Sequence, residues 1–124
     1  MNEMMLYAGS IIIVLWGVAH IVIPTKGIIN GFGPISQDNK RILAMEWIME
    51  GLALSFIGVL VILVTALEGV ENSATTIVYR SSSVMLMLMA GVSIFTGART
   101  SIIPMKLCPP IFISVAVLYW VGGG

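Results

Sequence analysis

Apolar residues in this chain fall into four long blocks, separated by short polar or glycine-bearing stretches. The blocks cover about 4–23, 42–67, 76–98 and 108–122. A helix needs about 20 apolar residues to cross a bilayer core, and the first three blocks reach that length. The fourth is shorter. Pro109-Pro110 opens it, and Pro104 and Lys106 argue against one straight helix that starts earlier. It reads as a short or tilted span in a locally thinned bilayer. Tyr119 and Trp120 at its far end suit the headgroup region. The pattern predicts an all-α, integral membrane four-helix bundle made of one domain and two hairpins.

Composition agrees. Of the 124 residues, 58% are hydrophobic and 10% charged. A soluble domain carries about 25% charged residues, so this chain cannot clothe itself for water and membrane lipid is its expected surrounding. Zero net charge gives no global attraction to nucleic acid. The single cysteine, Cys108, excludes an intramolecular disulfide and an all-cysteine metal site, and it reads as a passive thiol at a helix entrance. The leading residues carry Glu3 where a signal peptide carries Lys or Arg, so the first block reads as a retained span.

Charge in the connections predicts orientation. Lys26, Lys40 and Arg41 lie between the first two spans, and Arg99 and Lys106 between the last two. Only Arg80 falls at the opposite end, beside Glu68 and Glu71. The positive-inside rule then gives an N-out/C-out, multi-pass protein of the cell (cytoplasmic) membrane of a prokaryote. The first connection mixes turn formers (Gly27, Asn30, Gly31, Gly33, Pro34) with Ile28, Ile29, Phe32 and Ile35. It reads as an interfacial loop dipping into the headgroups, or else as a buried loop closing a cavity between helices. Ser36 is placed to cap the second helix, with Asp38 in its first turn.

The chemistry sits in the first two spans. Glu46 and Glu50 lie one helical turn apart in an otherwise apolar stretch, as do Trp16 and His20. A charged carboxylate at membrane depth costs roughly 2.5–3.5 kcal/mol on insertion scales, so two of them require a reason. Pairing Pro24 with Ile42 at the inner end sets His20 level with Glu46, and Trp16 level with Glu50. His20 and Glu46 then lie about 6 Å inside the boundary and Glu50 roughly 12 Å inside. Arg99, at the inner end of span three, either reaches Glu46 or snorkels to the headgroups.

Several readings of this cluster stand together. It is a polar network that fixes helix packing. Or Glu50, Glu46 and His20 line a pocket for a lipid-soluble or small ligand, with Trp16 and Trp47 as aromatic walls. Or Glu50 carries a proton for transport or for quinone chemistry. With one histidine and no Glu-x-x-His pair, a metal site is disfavoured. Met85 and Met89 share a helix face while Met87 points elsewhere, which suits packing better than copper. Ser81-Ser-Ser83 either hydrates the outer end of span three or satisfies carbonyls of its own helix. Small residues in span two (Gly51, Ser55, Gly58) and span three (Ala90, Gly91, Ser93, Gly97) allow close helix packing and suit a homo-oligomer.

Gly17-Val-Ala-His20, Pro24, Gly31-Phe-Gly33 and Glu46 to Gly51 together resemble the small four-helix DoxX-like membrane proteins, over residues 9–58. The resemblance implies a four-helix membrane fold and an association with quinone-linked redox complexes, and it transfers no catalytic role to any residue. The expected function is ligand binding at an intramembrane Glu/His cluster without catalysis or a resident cofactor. The alternatives are a membrane subunit of a quinone-linked complex and a small proton-coupled transporter that works as an oligomer.

Overall fold

The computed structural model describes residues 2–124, with the side chains of Thr25 and Lys26 outside that description. Four helices account for nearly all of it: α1 (Glu3–Ile23), α2 (Gln37–Glu68), α3 (Ser73–Phe95) and α4 (Ile103–Gly122). No strand occurs among the described residues. All four helices are long and apolar enough to cross a membrane. Large apolar side chains such as Leu15, Phe56, Leu67, Leu88 and Phe95 stand exposed on the outside, as a lipid-facing surface requires and an aqueous one forbids.

The helix ends follow local chemistry. Ser36 Oγ accepts from the Asn39 amide at 3.1 Å and starts α2. Asn72 Oδ1 accepts from the Ala74 amide at 2.9 Å and starts α3. Between them Gly69, at φ 72°, ends α2 in a conformation open to glycine. At 32 residues, α2 is about 48 Å long, well beyond a bilayer core. Its first turns, Gln37 to Arg41, are polar and suited to lie outside.

Three expectations change. First, the connection after α1 is not a loop. A π-helical turn (Pro24–Ile28) and a 3-10 turn (Ile29–Phe32) continue the helix until Gly33, at φ 79°. Pro24 has no N–H to return to the His20 carbonyl, and the widened turn absorbs the loss, the Ile29 amide bonding the Pro24 carbonyl instead. Ile29 is buried and Ile28 half-buried. Second, α4 begins at Ile103, before the Pro pair, and runs through both prolines. They lie near its start, where Lys106 is exposed and the carbonyls they leave free are close to the helix end. Third, Tyr119 does not face outward from the bundle. It is fully buried and its hydroxyl meets Ser10 Oγ at 3.0 Å, while Trp120 is exposed.

The helices are arranged around the bundle in the order α2, α1, α4, α3, with extensive contacts along that series and few between α2 and α3. Glycine sets the α1–α2 approach. A Cβ on Gly17 would lie 2.7 Å from the Gly51 carbonyl oxygen, and one on Gly51 would lie 2.5 Å from that of Gly17. Gly58 is equally tight against Ser10 and Val14. Gly51 and Gly58 are thus spent inside the chain, whereas Gly91 faces open space.

Buried hydroxyls bind the opposite end of the bundle, where α1 begins and α4 finishes. Thr65 Oγ1 donates to the Val61 carbonyl and meets the Tyr79 hydroxyl at 2.9 Å. Ser83 donates across helices to the Ala116 carbonyl at 2.7 Å, whereas Ser81 is exposed and donates to the Ile77 carbonyl of its own helix. Arg80 donates to the Gly124 carbonyl and stacks its guanidinium 3.8 Å from the Trp120 ring centre.

Gly17→Ala forces α1 and α2 apart and destabilises the bundle by about 1–3 kcal/mol. Gly91→Ala, which meets nothing, is neutral or gains a few tenths to about 1 kcal/mol from helix propensity. Reversible unfolding in mixed micelles, followed by circular dichroism, compares the two.

Candidate functional site

The site is built outward from His20, one turn before the end of α1 and 4% exposed. Its Nδ1 lies 2.8 Å from the Trp16 carbonyl oxygen, an acceptor only. Nδ1 therefore carries the proton, and in the neutral ring Nε2 presents its lone pair. Two groups face Nε2, each at 3.7 Å: Glu50 Oε1 from α2 and Cys108 Sγ from α4. Aromatic rings hold the imidazole in place. Trp16 meets it edge-on with centroids 5.2 Å apart, and Trp47 lies tilted against it at 5.5 Å. The Trp16 indole N–H is buried and has no hydrogen-bond partner among the described residues.

This geometry differs from the depth-matched reading by about one helical turn. His20 pairs with Glu50, not with Glu46. The earlier register took Pro24 and Ile42 as level ends, but α1 continues past Pro24 and the Gly17–Gly51 contact sets the real alignment. Glu46 is exposed and has no ion-pair partner among the described residues. Arg99 does not reach it. It is exposed, with its guanidinium 5.5 Å from the Phe95 ring centre. Four of the six candidates, Trp16, His20, Trp47 and Glu50, form one cluster; Glu46 joins it only across a cavity, and Arg99 stands outside.

Two cavities meet at His20 and Trp47. One, of about 210 Å³, is wholly apolar otherwise, with Trp16, Ile23, Pro24, Ile28 and Leu107 in its walls. The other, of about 270 Å³, draws on all four helices and holds Glu46, Glu50, Ser93, Thr96, Met105 and Cys108. Glu50 also borders a groove between α2 and α3, against Met85 and Met89, and its side chain is 38% exposed. Ile28 thus closes a cavity between helices, the second of the two roles considered for that segment.

Cys108 is the residue that sequence reasoning passed over. A start of α4 at the Pro pair placed it at the membrane entrance, whereas the helix begins five residues earlier. The sequence alone carried no signal for it, because the helix alignment is fixed by packing. The α1–α4 alignment that sets Ser10 on Tyr119 also sets His20 on Cys108, about three turns away. A thiol beside an imidazole resembles the start of a nucleophilic pair. Here the surrounding backbone is helical and spends its N–H groups on helical hydrogen bonds, so it offers no backbone oxyanion hole among the described residues. Among the described residues, no group of three His, Cys, Asp or Glu side chains could hold a metal ion.

No known protein family matches this chain, and neither a curated protein nor a solved structure does so.

His20 is the single histidine, so labelled imidazole nitrogen resonances report on it alone. In micelles the neutral ring shows its proton on Nδ1, and Glu50→Gln shifts the Nε2 resonance while Glu46→Gln leaves it in place. Equal responses to the two substitutions would restore the earlier register.

Proposed function

We propose that this chain is a multi-pass membrane protein that binds an amphipathic small molecule and catalyses no reaction. The apolar part occupies the cavity under Trp16 and Ile28, and the polar part meets Glu50 and His20 beyond the Trp47 wall. One observation supports this above the others: His20 and Trp47 form the partition shared by a purely apolar cavity and an acid-lined one. A network that merely fixed packing would close on itself, whereas here the polar groups of Glu46 and Glu50 border empty space. The ends carry opposite charge bias. Lys40, Arg41, Arg99 and Lys106 gather where α1 meets α2 and α3 meets α4, and Glu3, Glu68 and Glu71 at the other end. We place the basic end in the cytoplasm, in the cell membrane.

Ala19 lines the apolar cavity, and Ala19→Phe fills it. Organic extraction of the purified protein, followed by mass spectrometry, recovers a lipid-soluble molecule from the wild type and several-fold less from Ala19→Phe of equal helicity. Equal recovery from both, or from neither, counts against the reading.

A further inference from the structure

We infer that a groove along the exposed face of α3 holds an anionic phospholipid, its phosphate on Arg80 and one acyl chain below. The site lies at the end of the bundle away from His20 and stands apart from the two-chamber reading. Ile77, Ser81, Val84 and Leu88 recur at the spacing of one helix face. With Met85 and with Trp120 of α4 they line the groove, and Ile77, Val84, Met85, Leu88 and Trp120 all stand exposed. Arg80 is at its head. From Arg80 to Leu88 the groove runs about 12 Å along the helix axis. One leaflet is half of a hydrocarbon core about 30 Å thick, so this apolar stretch follows an acyl chain through most of its depth.

Arg80 supplies the charge. Its Nη2 donates to the Gly124 carbonyl, beyond the end of α4. That bond directs the guanidinium toward the helix ends, where a long cationic side chain reaches the headgroups. The Trp120 ring, centred 3.8 Å from the guanidinium carbon, holds it there. Nη1 is buried without a hydrogen-bond partner among the described residues. No aspartate or glutamate pairs with Arg80 among them either, although Glu68 and Glu71 stand at the same end. A guanidinium with unmet donors costs free energy that phosphate oxygens recover, and its planar fork fits them. A phosphate that carries an acyl chain answers both parts of the site, the charge at the head and the apolar groove below. A zwitterionic lipid brings a cation of its own to the same place, which weakens the attraction.

The test is photo-cross-linking in lipid nanodiscs that contain the full chain. Phosphatidylglycerol and phosphatidylcholine carry the same diazirine-labelled acyl chain, and mass spectrometry of the digested protein maps the cross-links. Phosphatidylglycerol labels residues 84–88 several-fold more than phosphatidylcholine does. Arg80→Gln removes that excess and leaves the labelling of exposed Leu52 and Phe56 on α2 unchanged, which reports an intact fold. Ser81→Glu sets a carboxylate beside the phosphate without removing the Arg80 side chain. It has the same effect and stands in if Arg80→Gln misfolds. Excess glycerol phosphate, which lacks acyl chains, does not compete. Equal labelling by the two lipids, or an excess that survives both substitutions, overturns the site. Competition by glycerol phosphate overturns the lipid as its occupant. Labelling by neither lipid leaves a second copy of the chain as the cover of the groove and overturns it too. The Ala19→Phe extraction result is independent of all these outcomes.

Discussion

Two residues without side chains govern this structure. Gly17 and Gly51 let the backbones of α1 and α2 come so close that neither position has room for a methyl group. In lipid, apolar surface gains nothing by leaving its solvent, so helices associate through close packing and polar contacts. The glycine contact supplies the packing, and with it a register. His20 follows Gly17 by one turn and Glu50 precedes Gly51 by one residue. Their meeting at 3.7 Å is therefore a consequence of the glycine contact. Without that alignment Glu50 would be an isolated carboxyl among apolar side chains.

The two ends of the bundle treat their polar groups differently. At the end with Ser10, Thr65, Tyr79, Ser83 and Tyr119, hydroxyls are buried and paired across helices at 2.7–3.0 Å. A buried polar group left unpaired costs about 1–3 kcal/mol, so these pairs specify one arrangement of helices. At the other end the contacts are longer, the cavities open and Glu50 only partly covered. α2 and α3 diverge there, and the groove between them reaches Glu50. A bundle pinned at one end and relaxed at the other can hold a cavity without losing its fold.

Much of this was legible along the chain, and the failures share a cause. Four apolar blocks correspond to four helices long enough to cross a membrane. The Ser36 cap follows from one residue and its neighbours. What could not be read was where antiparallel helices line up. Hydrophobicity marks the approximate ends of a span, but a register is set by which small residues touch. Pro24 and the Pro109-Pro110 pair misled in the same way. Each reads as a boundary by local rule, and each is carried inside a continuous helical segment, the first by a widened turn and the second near a helix start. An early boundary for α4 hid Cys108, and an early boundary for α1 slid His20 onto the wrong carboxylate.

The imidazole joins these threads because its two nitrogens serve different purposes. Nδ1 is satisfied within its own helix by the Trp16 carbonyl, and the Trp16 and Trp47 rings hold the imidazole in place. Nε2 is left to the space between helices, where Glu50, Cys108 and the cavity compete for it. A histidine recruited only to brace the bundle would place its free nitrogen against a close donor. This one faces a carboxylate at a distance longer than a strong hydrogen bond. The apolar cavity behind it offers no polar group to answer that nitrogen. A side chain held in place, with its second nitrogen shared between Glu50 and Cys108 and bordered by empty space, is the arrangement on which the ligand-binding proposal rests.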